Sequence, residues 1–394
     1  MPTDLTSISA VLEKVIAPTV QANLRTRNVL YDKAKRNFNV SVANNEIYIA
    51  TRTGKHSGIY TVAEGTEPRA GASKCAQMKS TIKFAFGTLE LTDQVIASTN
   101  TDKKAIAAAL TTEMNAIKDD FAMDLARQMN GAGTGQLCLA NGSGSSATTL
   151  IVDTNPAGGT NGLDETAYLA AGMYITIGTG SAVQIASVDS STQVTLASAA
   201  TWANNDIVKK ASADEAMGLA GLIDDGDNLA TVQNILRSSN PWSKAITYDT
   251  GGALAEANII STYLKSQRQG DKKKVLIMGT NMFNKYGSLL TSMKKTYDTK
   301  EVLNGGWYGL EFMDGSVVIH DPDCWAGYVQ IVDLSTFTIA ENSKPFEWLP
   351  GDSAGNYLRR SPTVRTNWEA TLKYYFNLVC LNFQANGRLS GQTA

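Results

Sequence analysis

Thr101–Asn130, TDKKAIAAALTTEMNAIKDDFAMDLARQMN, is the stretch on which the fold turns. Its apolar residues Ile106, Leu110, Met114, Ile117, Phe121, Leu125 and Met129 recur by threes and fours, the spacing of a single helical stripe. Thr99 or Asn100 can cap the start, Asp102 and Arg127 suit the first and last turns, and Gly131 supplies a stop. Neither Pro nor Gly interrupts the run, so it predicts a rod of roughly 45 Å at 1.5 Å per residue. Lys103, Lys104, Glu113, Lys118, Asp119, Asp120, Asp124 and Arg127 fall on the other side, which is expected to be wet. A coiled-coil arm has the same pattern, but this one lasts about four heptads and stops at GAGTG. A long helix lying across a β-sheet is the better expectation.

Upstream of the helix the period is two. Ile47, Ile49 and Thr51 alternate with Tyr48 and Ala50, and KSTIKFAFGTLELT repeats the alternation with Ile82, Phe84 and Phe86. Between them RTGKHSGIYTVAEGTEPRAGASKCAQ holds Gly54, Gly58, Gly65, Pro68 and Gly71 and few large apolar side chains. These parts predict a long hairpin with a polar tip. Two strands alone are marginal in water, so the hairpin must rest on something, either the body of its own chain or another subunit. Earlier still, Ile8, Val11, Leu12, Val15 and Ile16 suggest a short helix ending before Pro18. The basic patch Leu24–Tyr31, with Arg25, Arg27, Lys33, Lys35 and Arg36 in or beside it, suggests an arm that lies on a neighbour, or a frayed terminus.

Downstream, the linker Asn141–Ala147 (NGSGSSA) leads into TTLIV, MYITIG, VQIASVD, QVTLAS and DIVKK, separated by turn signals. That spacing predicts a small inserted β-barrel or sandwich. Residues 240–340 alternate helix (Gly252–Gln269, Asn281–Lys294) with strands (VLIMG, GLEFM, SVVIHD), as in a compact α/β module. Lys272, Lys273 and Lys274 before VLIMG read as a solvated edge, or one that meets DNA or an acidic neighbour. In the tail, Trp368, Leu372, Tyr374, Phe376 and Leu378 share one strand face, which is expected to return to the sheet beneath the helix; Arg359, Arg360 and Arg365 precede it.

The 394 residues carry a formal charge of −2, with 18% charged and 43% hydrophobic residues, so no basic excess points to direct nucleic-acid binding. No apolar run is long enough for a transmembrane helix, and the first 25 residues lack a signal core, so a cytoplasmic origin is expected. Cys75, Cys138, Cys324 and Cys380 form no CxxC pair and read as free, mostly buried thiols. Chemistry is not legible. His56 and His320 lack metal-motif partners, and His320-Asp321-Pro322-Asp323 reads as a turn after a strand. DDGDN at 224–228 lacks EF-hand spacing and reads as a solvated turn. GAGTGQL follows a helix and lacks the Lys-Ser/Thr pair of a phosphate loop. The six tryptophans carry no stacking motif and default to core or interface anchors. No catalytic, cofactor or metal residues are assigned; arms, loops and an insert without an active site suit an assembly subunit.

The order of these parts resembles the major capsid proteins of tailed bacteriophages with the Hong Kong 97-type fold. The resemblance rests on the loop tip TVAEGTEPRAG, the return strand STIKFAFGTLELTDQVI running into the helix that ends QMNGAGTG, and GLIDDGDN and VLIMGTNMF further on. GLEFMDGSVVIHDPDCWAGYVQIVDLSTFTIAE with a closing strand region completes it, so it covers nearly the whole chain outside the insert.

The resemblance implies an α+β fold with a long spine helix, an extended β-hairpin loop and an added β-domain. It divides the chain into an N-terminal arm (1–45), the extended loop (46–98), a peripheral domain with the spine helix (99–144) and the insert (145–211). A connecting segment (212–239), an axial domain (240–345) and a C-terminal return to the peripheral domain (346–394) follow. It implies self-assembly through pentamers and hexamers into an icosahedral head around double-stranded DNA, held without sequence-specific binding, with no enzymatic activity and no membrane. Virion location after assembly in the host cytoplasm follows, with a separate scaffolding protein, or none, and portal and decoration proteins as further partners. The loop would lie across an adjacent subunit, with Arg52, Lys55, Glu64, Glu67 and Arg69 meeting neighbours. Some members of the family cross-link a loop lysine to a neighbour's asparagine. Lys55, Lys74 and Lys79 lie in or near the loop, but nothing marks a partner and cross-linking is not expected. A bacterial cargo-compartment shell protein and a tail-tube or adhesin protein are the alternatives.

Overall fold

The computed structural model describes residues 17–37, 45–92, 103–153, 163–211, 214–292, 300–303, 307–341, 346–352, 357–360 and 367–394. The expected helix is present as Lys103–Asn130. In its second half Phe121, Leu125 and Met129 are buried as the stripe requires, together with Ala122 and Ala126. Arg127, expected on the wet side, is buried instead and paired with Asp124 and Glu215.

Residues 17–37 of the N-terminal segment pack into the body of the molecule. Ala17–Arg27 is a helix lying along the long one, where Asn23 Nδ2 donates to Asp119 Oδ1 at 2.6 Å. Pro18 stands at the second position of that helix, where its missing N–H costs nothing. Val20, Leu24, Val29, Leu30 and Tyr31 are fully buried in the main core. The helix expected over Ile8–Ile16 lies outside the described residues.

Beneath the long helix is a six-stranded sheet built around Asn367–Cys380. Lys83–Thr92 runs antiparallel along one edge of that strand, from Lys83 opposite Phe376 to Thr92 opposite Asn367. The other edge carries Arg359–Arg360, Glu347–Trp348 and Phe337–Glu341 in succession, and Lys35–Asn37 pairs outside the last. Leu372, Tyr374, Phe376 and Leu378 are fully buried, the face expected for the tail. Tyr374 stacks between Phe346 (4.7 Å) and Phe376 (4.4 Å). The helix comes so near the sheet at Gly87 that an added Cβ would sit 3.4 Å from Ile117 Cδ1.

The hairpin differs from expectation in its return strand. Glu46–Arg52 pairs with Cys75–Thr81, from Glu46 opposite Thr81 to Arg52 opposite Cys75. At Ile82 the chain changes partner, and Lys83–Thr92 joins the sheet. The alternation of 79–92 is real, yet only Ile82 of its large apolar trio is buried; Phe84 and Phe86 face away from the helix and are exposed. Period sets which residues share a face but not which face is covered.

A second sheet has seven strands in the order Ile246–Tyr248, Gly387–Leu389, Val329–Val332, Val275–Met278, Val317–His320, Trp307–Glu311, Lys300–Leu303. All four residues of Val275–Met278 are buried, as in a central strand covered on both faces. Glu256–Gln267 and Thr280–Ser292 supply Ile259, Tyr263, Met282 and Tyr286 to this core. The C-terminal segment was expected to return wholly to the first sheet. Its end does not: Gly387–Leu389 lies parallel to Ile246–Tyr248 and antiparallel to Val329–Val332, so the last residues tie the two sheets together.

The third unit is a closed six-stranded barrel of Ile207–Lys210, Gln136–Ala140, Gly144–Asp153, Gln193–Trp202, Val183–Val188 and Tyr174–Ile177. It has its own core, with Leu137, Leu150, Val152, Ile185, Val194 and Leu196 buried in it. Its first strand precedes the expected boundary at 145, because Leu139 and Cys138 pair with Ile207 and Val208 and closure needs that strand. Trp202 lies over Gly144, where a Cβ would come within 2.5 Å of the indole.

Candidate intersubunit surface

The hairpin continues beyond its paired strands as a narrow ribbon. Thr53 and Gly54 donate to Lys74 O (2.8 and 3.3 Å), and Ser57 N donates to Ala72 O at 3.3 Å. Gly58 and Gly71 pass so closely that a Cβ on Gly71 would lie 2.1 Å from Gly58 N, which only glycine permits. The tip turns through Gly65 at φ +81°, with Thr66 N donating to Ala63 O.

All five residues expected to meet neighbours are exposed on this ribbon. Arg52 Nε donates to Gly54 O at 3.0 Å, and with the described residues none of the five forms an ion pair. The charges are thus presented outward, spread along the loop, not gathered into one site. Lys79 is different: it pairs with Glu46 at 2.6 Å, while Lys55 and Lys74 remain exposed.

Reading the loop as polar missed its apolar content. Ile59 is 81% exposed, Tyr60 51% and Val62 43%, a large uncovered cluster beside the tip. The signal was GIYTV, an apolar run within glycine-punctuated sequence. A second uncovered patch lies on the sheet face opposite the long helix, where Phe84 and Phe86 meet the Tyr375 ring edge-on at 4.8 and 5.8 Å. Lys373 Nζ stands 5.4 Å from the same ring and pairs with Glu347 at 3.0 Å. Large uncovered apolar clusters on a folded chain mark contact surfaces.

The interior corrects two readings of polar motifs and bears out a third. DDGDN is not simply a solvated turn: Asp224 is fully buried and accepts from Arg237 (2.7 Å), Arg388 (2.6 Å) and the backbone N–H groups of Gly226, Asn228 and Leu229. Asp225, Asp227 and Asp249 approach one another, but Arg388 already supplies their positive charge, 2.9 Å from Asp249. Lys274 is not a solvated edge: it is buried with its ammonium on Ser266 Oγ and Ala385 O, and burial lowers its pKa to about 8. The His320–Asp323 turn does follow a strand, yet Asp321 and Asp323 are buried. His320 sits on Thr280 Oγ1 at 2.9 Å, and burial lowers its pKa.

The cysteines are free: Cys138, Cys324 and Cys380 are buried and Cys75 is exposed. Burial raises the first two thiols well above the ordinary range and Cys380 to about 12, so none of the three is a thiolate nucleophile at neutral pH. Among the described residues no helix is long and apolar enough to cross a membrane.

No protein-family model and no curated protein sequence matches the chain. The fold does match solved structures. A chain of the Cyanophage A-1(L) capsid asymmetric unit aligns at TM-score 0.53 and 12% identity, over 92% of this chain and 91% of that one. A chain from the capsid of a native GTA particle aligns at 0.48 and 10% identity, over 95% and 91%. The SrpI encapsulin of Synechococcus elongatus PCC 7942 aligns at 0.45 and 7% identity, over 93% and 89%. The cyanophage likeness covers nine-tenths of both chains, and it shows the architecture. The chain has the α+β fold of Hong Kong 97-type capsid subunits.

Proposed function

We propose that this chain is the major capsid protein of a tailed bacteriophage, assembling through hexamers and pentamers into the head around double-stranded DNA. The fold carries the reading, because it aligns over nine-tenths of its length with a phage capsid chain. The uncovered ribbon supports it. Ile59, Tyr60 and Val62 gain burial only against another molecule, and a neighbouring copy supplies it at every position of a ring. Such contacts join different patches of identical chains, and rotation closes them into rings and shells.

In this reading 46–98 is the extended loop, the first sheet and long helix form the peripheral domain, and the second sheet forms the axial domain around the local symmetry axes. Arg52, Lys55, Glu64, Glu67 and Arg69 orient the loop on its neighbour, and the tip's apolar side chains supply the burial. The protein is structural, not enzymatic. Its partners are copies of itself, with a scaffold, portal and decoration proteins at the assembly and finished stages, and DNA on the inner face held without sequence readout. Assembly takes place in the host cytoplasm, and the product is the virion.

Sedimentation velocity with negative-stain micrographs of each peak tests this. Closed megadalton shells are expected, on co-expression with a scaffold if not from the chain alone. Tubes or stacked rings would sink the reading, and shells filled by a targeting-peptide cargo would reassign it to a compartment. Reversing charge at Glu64 and Glu67 is expected to block shells while the subunit stays folded.

A further inference from the structure

Asp321 and Asp323 lie where four parts of the molecule meet. Asp321 Oδ2 accepts from Asn130 Nδ2 at 3.1 Å, at the end of the long helix, and from Asn28 Nδ2 at 3.4 Å. Asn28 also caps the helix Val29–Lys33, accepting from Tyr31 N at 3.0 Å. Asp321 Oδ1 accepts from Asp323 N at 2.9 Å. Asp323 Oδ1 accepts from the Tyr168 hydroxyl at 2.8 Å, and Tyr168 belongs to the barrel. Asp321 is 1% exposed and Asp323 5%, and the second oxygen of Asp323 is buried with no hydrogen-bond partner.

Two neighbouring buried carboxylates without a direct cationic partner are costly when both are ionised. The charged groups around them are few. Arg27 on the N-terminal helix and Arg127 on the long helix favour ionisation from a distance; Asp124 opposes it, and Arg127 is already paired with Asp124 and Glu215. Lys210 of the barrel is held by Asp124 at 2.6 Å. The Cys324 thiol stays protonated, and His320, bound to Thr280, titrates nearby on the same turn. Burial raises both carboxyl pKa values; repulsion from Asp323 adds to it at Asp321, which reaches about 7, and repulsion from Asp124 adds to it at Asp323. Asp321 has three N–H donors to offset a charge, whereas Asp323 has one hydroxyl and a bare oxygen, so the bare oxygen is the place for a proton. One free oxygen is too few to hold a divalent cation.

We propose that the buried Asp321–Asp323 pair holds one proton between its two carboxyl groups, that this lets the barrel seat on the body at Asp323, and that losing this proton loosens the seat. The reading stands apart from shell assembly, since every group lies within one chain. The sign follows from linkage. The folded pair keeps a proton that the unfolded chain releases near pH 4, so stability at this junction falls as pH rises from about 4 towards about 7 and is lowest above that.

The test is hydrogen exchange of residues 163–173 in the full chain, corrected for intrinsic rates, at about pH 5.5 and about pH 8.5. Protection in the native chain is expected to fall about tenfold or more at the higher pH, the effect of a pKa shift of one unit or more. Asp323→Asn keeps an acceptor for Tyr168, cannot ionise and removes the charge that opposes Asp321, so its loss of protection between the two pH values should be clearly smaller than the native chain's, even though Asp321 and His320 still titrate. Equal loss in the native chain and Asp323→Asn, or no loss in the native chain, overturns the proposal. If Asp323→Asn does not fold, Tyr168→Phe decides: losing a donor to the carboxylate should move the transition to higher pH, and an unmoved transition refutes the latch. Calcium chloride at the higher pH should not restore protection; restoration would show a cation site and overturn the shared proton.

Discussion

The barrel and the hairpin ribbon both leave the body of the molecule, and they solve the problem of exposed backbone in opposite ways. The barrel closes six strands on themselves, leaves no free edge and buries its own apolar core. The ribbon has two strands that lose their pairing towards the tip, where Ile59 and Tyr60 are uncovered. An element that completes its own burial can fold by itself, whereas one that does not is finished only by contact. Stability and assembly should therefore separate along this line.

The largest effect should lie in the body that carries both. Asp224→Ala leaves Arg237 a buried cation with no carboxylate partner and Arg388 with Asp249 alone at hydrogen-bond distance, and should cost about 3–5 kcal/mol or prevent folding, measured by chemical denaturation. Within the barrel, Leu150→Ala should cost about 2–5 kcal/mol as a core cavity, with the loss concentrated in hydrogen exchange of 136–210. An equal effect from a ribbon substitution would break the comparison.

A pH effect comes next. The Asp124 carboxyl, beside Arg127 and Lys210 where the barrel meets the long helix, is lowered to about 2. Its contribution is complete above the ordinary carboxylate pKa and is lost as pH falls from about 4 through about 2. Asp124→Asn should flatten that part of the acid denaturation curve, and an unchanged curve would refute the assignment. The smallest effect on the subunit belongs to the ribbon. Ile59→Ser with Val62→Ser should change unfolding free energy by under about 0.5 kcal/mol, yet abolish shells in the sedimentation assay. Normal shells from that variant would mean that the tip's apolar cluster carries no contact.

Much of the fold was legible because it rests on local period. The stripe through Phe121, Leu125 and Met129, the alternation through Leu372, Tyr374 and Phe376, and the short strands of the insert each follow from neighbouring residues. The hairpin's return strand was misplaced because two alternating segments, 75–81 and 83–92, run on with only Ile82 between them, and period alone does not mark a change of partner. The candidate surface was half legible. Its charges were evident, but Phe84 and Phe86 look like core residues until the sheet is assembled and Ala85, Gly87 and Leu89 turn out to sit with Leu372 and Tyr374 on the helix side.

Local spacing was enough to give the long helix, the ribbon, the six-strand insert apart from its first strand, and the order of parts that points to a capsid subunit, because each depends on residues within a few tens of one another. The fate of the charged residues became visible only in the folded chain. Asp224 looks like a loop acid until Arg388, from the far end of the chain, reaches it; Lys274 looks like an edge lysine until Ala385 O receives its ammonium; and Asp321 and Asp323 look like a turn until Asn28, Asn130 and Tyr168 close over them. A charge's cost and its partner are set by burial and by distance in space, and neither is written in the local pattern.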